Sequence, residues 1–394
     1  MVGLFCLVFV ILIVMELTKG LSANGTPPVL QSYDWQLDLA HFMWSNIAVI
    51  RSVLVVALIL IAWAALPGAT PGATVALIVS TVIFGAIWGF VYWLFNLFWV
   101  GKYKFLPITQ KIFAKAADNK VDPKIQVIGV DLDGVQKAYP ANMLFYHHQI
   151  TDEIAGHPIW ATYCGLCRSG RVYDLNVGGQ SMEFGLVGAI TFNAVFRDVA
   201  TGSWWRQETG EAVKGPMAGK QLDDVAFEQM SLENWLAKYP DSEVLQYDPV
   251  FEQKYNFTAK LMSYEVSLPG WHRHETPPLV IGIEVDGHPH AYDFDQLKKR
   301  RMVQDELAGT PLLVVCDADG SSGFVYERNL DGEPAEFDLE DGVLKDSATG
   351  SAWDDFGRCV EGKLKGAALR QIQSYQQFVR AWISFHPGTT FYNF

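Results

Sequence analysis

The chain has 394 residues, half of them apolar, with a formal net charge of −13. The apolar excess lies in the first hundred residues and most of the acid lies after residue 120, so a membrane anchor precedes an acidic, water-facing region. No basic stripe is present, which excludes nucleic acid as a partner. The five cysteines are too few for a disulfide scaffold.

Residues 3–15 are continuously apolar. The run is short for a span, but it lacks the basic n-region and the small-x-small cleavage site of a secretory signal. A retained helix over 3–16 is therefore expected, followed by a polar, aromatic-containing connection over 17–46. A second helix is expected over 47–66, with Arg51 near enough to one end to snorkel. Breakers over 66–73 form a turn, and a third helix is expected over 74–100, its later half crowded with Trp, Tyr and Phe as at a membrane interface. The lipid bilayer is the expected partner; the sequence names no protein partner. Lys102, Lys104, Lys111, Lys115 and Lys120 follow the last span, and on charge alone they place the water-facing region in the cytoplasm.

From about residue 125 the chain repeats itself. Val127-Ile-Gly-Val-Asp-Leu-Asp-Gly134 returns as Val280-Ile-Gly-Ile-Glu-Val-Asp-Gly287, Thr201-Gly-Ser-Trp-Trp205 as Thr349-Gly-Ser-Ala-Trp353, and Trp235-Leu-Ala-Lys-Tyr-Pro240 as Trp382-Ile-Ser-Phe-His-Pro387. Order and spacing are kept, as in a tandem duplication. Alternating residues around Asp-Gly predict a β-hairpin at the start of each copy. Strands are expected over 159–163, 171–176, 181–187, 194–198, 312–316 and 323–328, with closing helices over 232–238 and 373–385. The fold class expected is α+β and β-rich: membrane helices over 1–105, then a duplicated sheet- or barrel-like domain. Its first repeat covers 120–246, its linker 247–277 and its second repeat 278–394.

Residues shared by the copies serve the common fold; residues in one copy only are candidates for chemistry. At the common spacing His147 and His148 face Arg300 and Arg301, Cys164 faces Asp317, and Cys167 faces Gly320. Two thiols in a C-x-x-C turn with imidazoles near by suit three accounts. They could ligate a soft metal, Cu or Zn, through Cys164, Cys167 and His147 or His148. They could form a reactive thiol pair, Cys164 and Cys167 being the catalytic residues of an oxidoreductase. They could also be inert thiols of a structural or interaction scaffold. Cys316 and Cys359 match Tyr163 and Ala212 and are expected to be buried or paired.

Trp204, Trp205, Arg206 and Gln207 join aromatic and polar groups and could wall a cleft, with Glu208 beside them. His272, His274, His288 and His290 are a weaker metal candidate, and Asp317–Ser322 matches only the first half of a calcium loop. No phosphate loop or dinucleotide fingerprint occurs, and Arg168 follows Cys167 where c-type haem attachment needs His, so neither nucleotide nor c-type haem is expected.

Tyr139-Pro140 with Tyr146-His-His-Gln149, Thr162-Tyr-Cys-Gly-Leu-Cys-Arg168, Phe192-Asn-Ala-Val-Phe-Arg-Asp198 and Ser203-Trp-Trp-Arg-Gln207 with Gly215-Pro216 resemble the DUF3179 family of bacterial and archaeal proteins. The likeness covers roughly 120–394, and the helices resemble a membrane-anchored subgroup. The export signals of many members imply a multi-pass protein of the cell membrane with an extracytoplasmic domain, against the lysine count. The family label implies no reaction.

Overall fold

A computed structural model describes residues 1–23, 35–98, 104–191, 193–263, 278–330 and 332–394. Helices α1 (Val2–Ala23), α2 (Trp35–Ala65) and α3 (Pro71–Trp93) come first, each long and apolar enough to cross a membrane. Thr70 caps α3 by accepting from the Ala73 N–H at 3.3 Å, with Pro71 in the first turn.

Helices α1 and α2 run farther than expected, into both ends of the 17–46 connection. Polar residues of these helices and of the segment after α3 pair with one another. Arg51 Nε lies 2.6 Å from Glu16 Oε1, Asn96 Nδ2 donates to Glu16 Oε2 at 3.1 Å, and Lys19 Nζ donates to Asn96 Oδ1 at 2.6 Å. A charge among apolar helices is tolerated when it is paired in this way. Asn96 reaches Glu16 from a π-helical turn, Leu94–Phe98, that extends α3.

Strands β1 (Phe113–Lys115), β2 (Gln126–Leu132) and β3 (Val135–Pro140) precede helix α4 (Ala141–His147). Next come β4 (Gln149–Ile154), β5 (His157–Cys164), β6 (Ser169–Asp174), and the short β7 (Asn176–Val177) and β8 (Gln180–Ser181). Then follow β9 (Phe184–Ile190), β10 (Asn193–Asp198), β11 (Trp204–Arg206), β12 (Ala212–Lys214), β13 (Glu228–Ser231), α5 (Leu232–Lys238), β14 (Glu243–Leu245) and α6 (Glu252–Met262). A matching order starts at β15 (Leu279–Val285): β16 (His288–Asp293), α7 (Phe294–Arg300), β17 (Met302–Leu307), β18 (Thr310–Cys316) and β19 (Gly323–Glu327). It continues through β20 (Asn329–Leu330), β21 (Glu333–Pro334), β22 (Phe337–Glu340), β23 (Val343–Asp346), β24 (Ala352–Trp353) and β25 (Cys359–Glu361). It ends with β26 (Arg370–Ile372), β27 (Ser374–Phe378), α8 (Val379–Phe385) and β28 (Thr390–Phe391).

The larger sheets are open rows: β1-β14-β3-β2-β13, β4-β5-β6 and β12-β11-β10-β9, then β27-β15-β16-β28, β17-β18-β19-β26 and β22-β23-β24-β25. Asp133-Gly134 and Asp286-Gly287 turn their hairpins with positive φ at all four residues, as Asp-Gly favours. Gly129 and Gly282 are required for packing. A Cβ there would lie 2.2 Å from the Trp235 ring and 2.4 Å from the Trp382 ring, respectively.

The chain divides into two compact units. One holds Met1–Leu106, Glu183–Arg206 and Ala212–Lys220, so the sheet β9–β12 belongs with the three apolar helices and not with the rest of residues 120–246. Val187, Ile190, Val195 and Trp204 pack with Ala23 and Ala40, and Lys214 pairs with Asp38. The other unit holds Pro107–Met182, Gln207–Glu211 and Gln221–Phe394. One of its apolar clusters joins Val127, Met230 and Trp235 to Leu313, Val315, Phe324 and Tyr326. Part of the expected linker is α6, which packs on α4: Thr258 Oγ1 donates to Asn142 O at 2.7 Å, and Asn142 Nδ2 donates to Tyr247 Oη at 2.6 Å.

Candidate functional site

Cys164 ends β5 opposite Ser169, the first residue of β6. Between them the Cys167 N–H donates to Cys164 O at 3.1 Å, closing a tight turn, and Arg168 takes a left-handed φ of 56°. Such a turn holds the two Cα atoms within about 7 Å, in the range a disulfide spans. Both residues are buried, and no disulfide joins any of the five cysteines. The turn is tied to the C-terminal elements, since the Phe378 N–H donates to Cys167 O at 2.9 Å. Gly165 leaves room for the Phe145 ring, which a Cβ would meet at 2.0 Å.

A buried polar network lies next along the hairpin. Gln207 Nε2 donates to Thr162 Oγ1 at 3.0 Å and to Ser169 O at 3.3 Å, and Ser169 Oγ donates to Gln207 Oε1 at 3.3 Å. Tyr173 Oη donates to Gln207 O at 2.8 Å. Arg171 Nη2 meets Glu208 Oε1 at 2.6 Å with both side chains buried, and the guanidinium lies 3.6 Å over the Tyr375 ring. Burial works against the Arg171 charge, but Glu208 and the phenols of Tyr375 and Tyr173 outweigh it and raise its pKa. Burial also raises Tyr173 well above the ordinary phenol range.

The second half carries a different set of residues at the same register. Thr162 pairs with Arg171 across β5–β6, and Val315 pairs with Phe324 across β18–β19. Where Arg171 meets Glu208, Phe324 meets Phe356 edge to face with centroids 5.8 Å apart. The sequence reading missed the Arg171–Glu208 pair. Its signal was available, because aligning the two similar stretches of sequence sets Arg171 against Phe324 and Glu208 against Phe356.

The expected histidine ligands make the following contacts. His147, buried at the end of α4, has Nε2 2.7 Å from Tyr255 Oη and its ring edge-on to Phe251 at 5.1 Å. His148 caps α4 with φ 65°, its N–H donating to Leu144 O at 2.7 Å and its carbonyl accepting from the Tyr163 N–H at 3.2 Å. Arg301 does the same for α7 with φ 66°. Among the described residues no three His, Cys, Asp or Glu side chains form a group that could hold a metal ion, so the mixed Cys/His site is not assembled there. His272 and His274 lie outside the described residues. His290 Nδ1 contacts Thr390 Oγ1 at 2.6 Å, and His288 is exposed.

The expected cleft wall also separates. Trp205 is a core residue: its Nε1 donates to Asp198 Oδ2 at 2.9 Å and Phe184 lies edge-on at 5.8 Å. Trp353 repeats this with Asp346 at 3.2 Å and Phe337 at 5.7 Å. Trp204 is covered by His41 and Trp44 of α2, at 5.1 and 6.3 Å, and Arg206 is half-buried. Of the four, Gln207 joins the thiol turn. Cys316 and Cys359 are buried in separate apolar clusters, and burial pushes the Cys316 thiol up to about 12. The Asp317 carboxylate is taken up by the N–H groups of Ser321 and Ser322 at 2.7 and 2.9 Å and by Asn234 Nδ2 at 2.6 Å, which leaves the half calcium loop a structural turn.

Comparison with curated proteins and with solved structures finds no match. A family described as protein of unknown function (DUF3179) matches residues 106–389, which includes the thiol turn, the Gln207 network and the Arg171–Glu208 pair; the chain belongs to that family.

Proposed function

We propose that this is a membrane-anchored protein whose Cys164–Cys167 turn cycles between dithiol and disulfide. One observation carries the reading: two unbridged thiols share a tight turn over a buried polar network, and the matching turn of the second half, Cys316 to Gly323, has neither the thiol pair nor the ion pair. The matched registers and the two Asp-Thr-Ser-Trp networks support a tandem duplication in which one copy kept or gained chemistry. In the proposed step one thiolate attacks a sulfur of an oxidant disulfide and the second thiolate resolves the mixed disulfide. The oxidant leaves as two thiols, having taken two electrons and two protons. Burial of both sulfurs confines the exchange to a partner admitted by local opening.

The test is a redox titration of the full chain in detergent, read by mass after alkylation. A two-electron transition between roughly −270 and −120 mV, the span of dithiol enzymes, and its loss in Cys164→Ser are expected. No transition at any potential would end this reading. The second reading is Cu(I) held by the two thiolates alone; paired soft sulfurs with no third ligand assembled among the described residues suit Cu(I) better than four-coordinate Zn(II). Stoichiometric copper that is lost in Cys164→Ser would favour it. A C-terminal reporter fusion decides between the cytoplasmic side, which the lysines favour, and the extracytoplasmic side, which the family resemblance implies.

A further inference from the structure

Strands β13 and β27 occupy equivalent registers. Glu228 and Met230 face Gly129 and Val127, and Tyr375 and Gln377 face Gly282 and Val280. At the first place Met230 packs in an apolar cluster with Val315, Phe324 and Tyr326. At the second, Gln377 is fully buried, and neither its amide oxygen nor its amide nitrogen has a hydrogen-bond partner.

Three more buried atoms there share this condition: Arg171 Nε, Trp382 Nε1 and His386 Nε2. The groups are contiguous. Gln377 and Tyr375 alternate to one side of β27; Arg171 lies 3.6 Å over Tyr375; the Tyr375 and Trp382 rings are 6.0 Å apart; and His386 stacks on Trp382 at 3.8 Å. In the first junction the same elements satisfy themselves. Trp235 Nε1 donates to Ser242 Oγ at 2.7 Å, and Tyr239 Oη donates to Glu228 Oε1 at 2.7 Å. A buried polar atom without a partner is costly, and the apolar alternative is built into the same chain. The polar set is therefore suited to something other than packing.

We infer that this junction binds a small, uncharged ligand of the carboxamide or ureido class. The unsatisfied atoms are mixed: donors on Arg171, Trp382 and the Gln377 nitrogen, and acceptors on the Gln377 oxygen and on His386 Nε2, whose Nδ1 faces Glu284 at 3.2 Å. A ligand amide edge meets the Gln377 amide with two reciprocal hydrogen bonds. No net positive charge is left for an anion, because Glu208 already balances Arg171 and the Asp224 carboxylate also interacts with the Arg171 charge.

The test uses the full chain in detergent with acetamide, N-methylurea and acetate as probes, read by saturation-transfer NMR. Saturable binding of acetamide and N-methylurea, but not acetate, is expected. Gln377→Met, which installs the residue of the first junction, weakens it by about tenfold or more, the equivalent of a hydrogen bond or two. Trp382→Phe, which removes one donor and keeps the ring, weakens it by a smaller factor. Cys164→Ser leaves binding unchanged, which separates this site from the dithiol reading. Absence of saturable binding by either amide probe, preferential binding of acetate, or undiminished binding in both Gln377→Met and Trp382→Phe would overturn the inference.

Discussion

The hairpins β5–β6 and β18–β19 share a register, a following tyrosine and a close-packed glycine. A Cβ on Gly170 would meet Ile128 at 2.3 Å, and one on Gly323 would meet Ile281 at 2.6 Å. Tyr173 and Tyr326 both donate their hydroxyls to a backbone carbonyl, of Gln207 and Asp355. The hairpins differ in what fills the space between these fixed points. One holds thiols, Gln207, and Arg171 with Glu208; the other holds Phe324 and Phe356. A fold that closes with two phenylalanines does not need a buried ion pair, and such pairs are poor sources of stability. The difference therefore marks where the first hairpin departs from the demands of packing.

The comparison is broken or sharpened most strongly at Glu208. Glu208→Gln leaves the Arg171 charge buried without its counter-ion, and denaturant unfolding of the full chain is expected to show a loss of about 3–5 kcal/mol. The double change Arg171→Phe with Glu208→Phe copies the second hairpin and is expected to be near neutral. A double variant as unstable as the single one would show that the sites are not interchangeable. Gly129→Ala and Gly282→Ala force a methyl into the Trp235 and Trp382 rings. Each is expected to cost about 1–3 kcal/mol by overpacking, and a large inequality between them would break the match outside the site.

His147→Gln removes the Tyr255 contact and is expected to cost roughly 1 kcal/mol while leaving metal content and dithiol potential unchanged. A shift in either would restore His147 to the thiol site. The smallest effect concerns pH. Burial pushes Asp198 and Asp346 upward, but hydrogen bonds from Trp205 with Thr201 and Gly202, and from Trp353 with Thr349 and Ser351, outweigh it and hold both below the ordinary value. A depressed folded pKa gives stability that is present above the unfolded pKa of about 4 and is lost as pH falls through the folded value. Acid unfolding is therefore expected to be blunted in Asp198→Asn and Asp346→Asn alike.

Much of this was legible in the sequence. The Asp-Gly hairpins, the strands over 159–163 and 312–316, and α5 over Leu232–Lys238 follow from alternation and turn chemistry. The expected helix over 373–385 is half strand, because Ser374–Phe378 pairs with β15, a partner almost a hundred residues away that local pattern does not reveal. The role of His147 was hidden for the same reason, since it is set by Tyr255 on α6, inside the stretch read as linker. The extent of α1 was hidden because Glu16 and Lys19 look like a helix end until Arg51 and Asn96 are seen to pair with them. Trp204 read as a cleft residue, but α2 covers it. The Arg171–Glu208 pair was legible and went unread.

The central claim is that one of two matched hairpins carries the chemistry. Its most direct test is to oxidise the full chain with a disulfide of moderate potential and map the bridge by peptide mass. The account predicts a single new bridge, Cys164 to Cys167, with Cys316 and Cys359 recovered as thiols. A bridge involving Cys316 or Cys359, or all five cysteines recovered as thiols under conditions that oxidise a free dithiol peptide, would contradict it.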